Sequence, residues 1–98
     1  MDIIKKENGS TLIASIVGRL DTTTAPQLEG ELKASFDSCE ALELDFSDLE
    51  YISSAGLRVV LAAHKAMNVK GGLKVTHVKP DIMEVFEITG FSDILTIE

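Results

Sequence analysis

Ninety-eight residues suffice for one domain and not for two, and a domain that short buries only about 60–65% of its unfolded surface, which leaves one small core. A chain that is 45% hydrophobic and 26% charged is ordinary for a folded protein, and two prolines and seven glycines exclude a linker or a low-complexity tract. Sixteen acidic residues against nine basic ones give a net charge of −7, a sign that repels phosphate backbones and anionic lipid heads and so disfavours nucleic acid as a partner.

Residues 2–7 read as a first strand. Asn8-Gly9 follows, a strong hairpin signal, and a second strand is predicted over 11–17, with Leu12, Ala14 and Ile16 on one face and Ile13, Ser15 and Val17 on the other. Gly18 is expected to end it, and Arg19-Leu20-Asp21 leads into a threonine-rich loop. Pro26 sits where a first helical turn tolerates proline. Leu28, Leu32, Phe36 and Cys39 recur at helical spacing, with Glu29, Glu31 and Lys33 off that stripe, which predicts an amphipathic helix over 25–38. In 41–46, Leu42, Leu44 and Phe46 alternate with Glu43 and Asp45, the pattern of a half-buried strand. A loop over 47–54 follows, then a second helix over 55–70 carrying Leu57, Val60, Leu61, His64 and Met67, stopped by Gly71-Gly72. Residues 73–78 read as a strand with Leu73, Val75 and His77 on one face. Pro80 opens a third helix that bears Ile82, Val85 and Phe86, and Gly90 fits its carboxyl-terminal cap. Residues 94–97 complete the pattern as a short last strand.

The order β-β-α-β-α-β-α-β, with tight strand–helix–strand links, implies right-handed crossovers and a small mixed sheet. One strand face carries Glu43 and Asp45, so helices are expected on the other face only, giving an α/β fold of two layers. Cys39 is the single cysteine, which precludes an intrachain disulfide and a cysteine-based zinc site, and its place on the first helix predicts a small core residue. No metal or other cofactor is expected, because His64 and His77 are isolated and no nucleotide-binding glycine fingerprint is present. The amino-terminal residues do not read as a signal peptide, and no run approaches the roughly 20 apolar residues of a membrane span, so a cytoplasmic protein with no direct membrane insertion is expected.

The stretch from Leu44 to Leu57 carries the most information. A strand ends, a short loop follows, and Ser53 and Ser54 stand where a helix begins, ahead of the small residues Ala55 and Gly56. A serine there serves as an N-cap, accepting from a free N–H of the first turn. The same place suits a phosphate, which brings about −1.5 to −2 charges and three acceptor oxygens to a helix end with free N–H groups and partial positive charge. Asp45, Asp48 and Glu50 would repel it. A serine hydrolase needs a base and an orienting acid in contact with its nucleophile, and Ser54 lies in Ser-Ser-Ala-Gly, not in a Gly-x-Ser-x-Gly elbow.

The run Asp45-Phe46-Ser47-Asp48-Leu49-Glu50-Tyr51-Ile52-Ser53-Ser54-Ala55-Gly56-Leu57 resembles the signature of STAS domains, the sulfate transporter and anti-sigma factor antagonist family. Gly18-Arg19-Leu20-Asp21 resembles the family's Gly-x-Leu/Ile-Asp element, and the segment from Thr89 to Leu95 its closing segment. The resemblance covers nearly the whole chain. It implies a sheet with helices on one face and, for stand-alone bacterial members, phosphorylation of the residue matched by Ser54. It implies as partners an anti-sigma factor that is also a serine kinase with an ATP-binding fold, and a serine phosphatase. The unphosphorylated form would bind the kinase and free a sigma factor. Asp21 matches a loop aspartate that helps engage the kinase, though a turn or cap role fits its position equally. Thr22, Thr23, Thr24, Ala55, Gly56, Leu57 and Arg58 complete the expected partner-binding rim. Many members carry aspartate where this chain has Ser53, which leaves Ser53 as a possible second acceptor. An alternative within the family is a subunit of a membrane transport ATPase that needs no phosphorylation; a small-molecule sensor has no pocket signature here.

Overall fold

The computed structural model describes residues 1–98. Strands β1 (Asp2–Asn8) and β2 (Thr11–Leu20) form an antiparallel hairpin closed on the Asn8–Thr11 pair. The turn residues are therefore Gly9 and Ser10, one step later than the Asn-Gly signal suggests. Gly9 takes the positive φ of 64° that the first turn position of a type II′ hairpin requires. Helix α1 (Ala25–Ser35) follows with Pro26 in its first turn and runs into a 3₁₀ turn at Phe36–Ser38. Then come β3 (Ala41–Asp45), β4 (Leu49–Ile52), α2 (Ser54–Met67), β5 (Leu73–Thr76), α3 (Pro80–Thr89), a 3₁₀ turn at Phe91–Asp93 and β6 (Thr96–Ile97). Gly90 ends α3 in the left-handed conformation, at φ 83°.

The sheet order is β1-β2-β3-β5-β6, parallel beyond the first hairpin. Its inner face presents Leu12, Ala14, Ile16, Leu42, Leu44, Leu73 and Val75, all buried, toward Leu28 and Leu32 of α1, Val60 and Met67 of α2 and Phe86 of α3. The rings of Phe46 and Phe86 stand 6.3 Å apart, joining the end of β3 to α3. Each such fully buried side chain contributes roughly 1.5–3 kcal/mol over its exposed state. The outer face carries Ser15, Glu43, Asp45 and Lys74, tied by Lys74–Glu43 at 3.7 Å and by a hydrogen bond from Thr76 to Glu43 at 3.0 Å. Sheet and helices form the two layers that the alternation in 41–46 implies. Cys39 is buried with its Sγ against the Ser35 carbonyl, and burial pushes its thiol up. His64 sits half-buried on α2 with Nδ1 lacking a hydrogen-bond partner.

Four expectations need correction. Gly18 does not end β2. At φ 102° it forms an irregularity where the register shifts, and the strand continues to Leu20 with a new neighbour. That neighbour is β4, which occupies part of the segment read as a loop over 47–54; its burial pattern, buried at Leu49 and Ile52 and exposed between, does not alternate. His77 does not share a strand face with Leu73 and Val75. It lies past β5 at φ 56°, exposed, with Nδ1 3.2 Å from Asp45 Oδ1. The last strand is Thr96–Ile97 alone, because the chain spends Phe91–Asp93 on a 3₁₀ turn and buries Leu95. No helix is long and apolar enough to cross a membrane.

Candidate functional site

Two loops meet at the carboxyl ends of β2 and β4. The register shift at Gly18 lets β2 part from β3 and pair with β4, with Arg19 opposite Tyr51 and Leu20 opposite Ile52. The Ser53 amide donates to the Leu20 carbonyl at 2.9 Å, and the Gly18 amide to the Asp48 carbonyl at 3.0 Å. The second bond holds β2 to the entry of β4, and the first clips the end of β2 to the N-cap of α2.

In the first loop Asp21 is an anchor. Its Oδ1 accepts from the Thr23 amide at 3.0 Å and the Thr24 amide at 3.1 Å, and the Thr24 hydroxyl oxygen lies 3.2 Å away. Thr24 is fixed in turn, since its hydroxyl donates to the Arg19 carbonyl at 2.8 Å and accepts from the Asp21 amide at 2.9 Å. The Thr24 amide holds the Asp21 carboxyl below its ordinary value; burial opposes it more strongly than the Thr23 amide alone assists, but the Thr23 amide, the Thr24 hydroxyl and Arg19 together keep the net shift downward. Thr22 and Thr23 are left exposed. Asp45, at the end of β3, behaves alike: burial pushes its carboxyl up, but Ser47 and His77 outweigh that and hold it low.

In the second loop Ser53 is the N-cap. Its backbone is extended, and its Oγ accepts from the Gly56 amide at 3.3 Å. Ser54 is the first residue of α2 and is exposed. The residue before the helix thus takes the capping work and leaves the next hydroxyl free. Ser53→Ala is expected to lower stability by about 1 kcal/mol in urea unfolding, while Ser54→Ala, which loses no cap, leaves it nearly unchanged. Equal costs for the two would reverse the assignment of the cap.

The expected rim narrows on inspection. Gly56, which has no side chain, and Leu57 are buried against the core. Ala55 is half-buried and Arg58 exposed, and both line a shallow groove of about 220 Å³ with Thr22, Ala25, Pro26, Glu29 and Val59. Asp21, Thr22, Thr23, Thr24, Ser53, Ser54, Ala55 and Arg58 therefore share one rim. Pro26 and Glu29 join it unforeseen, because only the packing of α1 beside α2 brings them there. Arg19 stacks over the ring of Tyr51 at 4.2 Å, a contact set by their register across β2 and β4.

Both depressed carboxyls give a pH dependence of known sign. Asp21 and Asp45 ionise more readily folded than unfolded, so their stabilisation is complete above the unfolded value of 3.8 and is lost as pH falls through the lowered folded values. Asp21→Asn combined with Asp45→Asn is expected to flatten the acid limb of thermal stability below about pH 4. A limb as steep as that of the unaltered protein would place the responsible groups elsewhere.

A mixed sheet with helices on one face, and a helix start set beside a clipped loop on one rim, define a small α/β domain that offers its chemistry at the surface. The STAS domain profile matches residues 2–98, and the chain belongs to the STAS domain family. Among its relatives, BtrV of Bordetella bronchiseptica, designated an anti-sigma factor antagonist, is 47% identical over 88 residues, covering 88% of this chain and 76% of BtrV. The anti-sigma-B factor antagonist of Bacillus subtilis is 30% identical over 93 residues, covering 94% and 85%. The crystal structure of an anti-sigma factor antagonist from Mycobacterium paratuberculosis superposes with a TM-score of 0.90 at 26% identity, covering 98% of this chain and 83% of that one.

Proposed function

We propose that this chain is an anti-sigma factor antagonist in a partner-switching pathway, with Ser54 as its phosphoacceptor. The observation that carries the reading is the division of labour between the two serines: Ser53 caps α2, and Ser54 stands exposed as its first residue. Kinship with relatives that bear the antagonist name supports the pathway.

Unphosphorylated, the chain binds its anti-sigma factor through the rim, with the exposed Thr22, Thr23, Ser54 and Arg58 as direct contacts and Asp21 holding the loop in shape. The anti-sigma factor is also a serine kinase and supplies the nucleotide, the magnesium and the base. Ser54 Oγ attacks the γ-phosphorus of ATP, its proton passes to the kinase, and ADP leaves. The amides of Ser54 and Ala55 precede the first intrahelical bond of α2, so they remain available to a phosphate placed there. A serine phosphatase restores the hydroxyl. The chain contributes an acceptor and a binding surface and is not itself an enzyme. Ser53 is the poorer acceptor, because modifying its Oγ removes the bond to the Gly56 amide. The reading carries a cytoplasmic location with it, where sigma factors act.

The test is a host-lysate pull-down with the unaltered chain and with Ser54→Asp as baits, read by mass spectrometry. Capture of a kinase-like ATPase by the first bait and its loss with the second supports the switch. Recovery of the same transport ATPase and permease by both makes the chain a transporter subunit instead.

A further inference from the structure

Strand β1 is an edge of the sheet, and beyond it lies no other strand of the chain. The two-residue turn makes Asn8–Thr11 a hydrogen-bonded pair, so the alternation of an antiparallel ladder turns the backbone of Asp2, Ile4 and Lys6 toward β2 and that of Ile3, Lys5 and Glu7 outward. The side chains of Asp2, Ile4 and Lys6 share the outer face of the sheet, where Ile4 is 59% exposed. Lys5 lies on the opposite face, already paired with Glu31 at 2.7 Å and donating to Ser35 at 3.0 Å. Asp2 and Lys6 have no ion-pair partner within the chain.

We infer that the occupant of this edge is β1 of a second copy, paired antiparallel about a twofold axis at Ile4. In that register Ile3 and Lys5 of each copy form the hydrogen-bonded pairs that the outward backbone groups require. Ile4 then meets Ile4 in the closer, non-hydrogen-bonded position, and Asp2 of each copy lies opposite Lys6 of the other. The alternatives are poorer. Shifting by two residues toward the turn sets Lys5 against Lys5; shifting the other way sets Ile3 against Ile3 and leaves Lys6 beyond the partner strand. A one-residue shift opposes inward backbone to outward and forms no ladder. The sequence of β1 is thus self-complementary in one register, as a twofold interface demands. The charge of −7 on each copy opposes association, but salt screens it while the interstrand pairs act at short range. A single edge buries little area, so the dimer is a reversible one.

Sedimentation velocity over a concentration series tests this, on the unaltered protein, K6D and the swap D2K/K6D. Reversible dimerisation is expected for the first, weakened about tenfold in K6D, where carboxylates oppose each other, and restored in the swap, where each pair is reformed with its charges exchanged. Ile4→Cys is expected to cross-link to itself on mild oxidation, while buried Cys39 stays reduced. A protein that is monomeric up to its solubility limit overturns the inference, as does a dimer that K6D leaves intact. A dimer in which Ile4→Cys fails to cross-link overturns the register.

Discussion

Ser54→Asp is expected to lower affinity for the anti-sigma kinase about a hundredfold, roughly 2.7 kcal/mol, with the fold unchanged. The side chain is exposed at the start of α2, and its hydroxyl supports no hydrogen bond of the domain. A carboxylate there interacts favourably with the partial positive charge of the helix start, so the isolated domain tolerates it. The cost falls on the complex. A surface that fits a neutral hydroxyl must desolvate an added charge on the rim, and truncated or mismatched charges at interfaces cost about 2–5 kcal/mol. Ser54→Ala is the companion variant. It keeps the affinity and cannot accept phosphate, so it holds the kinase permanently. Calorimetry on both, with thermal melts to confirm folding, separates a switch from a scaffold. Equal affinities for the unaltered chain and Ser54→Asp would count against the switch.

The second large effect concerns stability. A β-carbon at Gly56 would lie 2.7 Å from Leu20 Cγ, 3.0 Å from Leu20 Cδ2 and 3.1 Å from Ile52 Cγ1. Leu20 and Ile52 are both buried, on the two strands that hold the rim, so neither has space to retreat into. Gly56→Val is expected to cost about 3 kcal/mol, the upper part of the range for overpacked cores. Gly56→Ala is milder, because alanine regains up to about 1 kcal/mol of helix propensity. Urea unfolding measures both, and a valine variant as stable as the parent would mean that α2 shifts freely over the sheet. A shift of that kind would carry Ser54 with it, so the glycine sets the height of the helix start above the strands. Its structural role is close packing beneath the rim, against Leu20 and Ile52.

Most of the architecture was legible in the sequence because its core obeys simple periods. Leu42-Glu43-Leu44-Asp45 alternates and is a strand open to solvent on one side; Leu28 and Leu32 are spaced for a helix and are buried. The failures sit where local pattern and tertiary demand diverge. Gly18 weakens any strand, so it reads as a stop, yet its positive φ is what lets β2 change neighbours. Leu49-Glu50-Tyr51-Ile52 is too short to show a period, and its pairing with the end of β2 is a long-range event. His77 continues an alternation on paper, but its pairing with Asp45 accompanies a left-handed backbone that alternation does not encode. At the site, the presence of a cap among Ser53 and Ser54 was readable. Which serine supplies it depended on where β4 ends, and β4 itself was hidden. Glu29 and Pro26 were visible only as helix residues, since no local signal reports that α1 lies beside α2.

The bond from the Ser53 amide to the Leu20 carbonyl has a consequence for inheritance. Residues 21–24 and 53–58 are remote in the chain but are mounted on one backbone joint. A relative that drifts in one stretch alone would present a mismatched lip to its regulator. The two stretches are therefore a single unit of descent, and a transplant that aims to redirect the protein to a different kinase must carry both together, with the glycine kink that seats them.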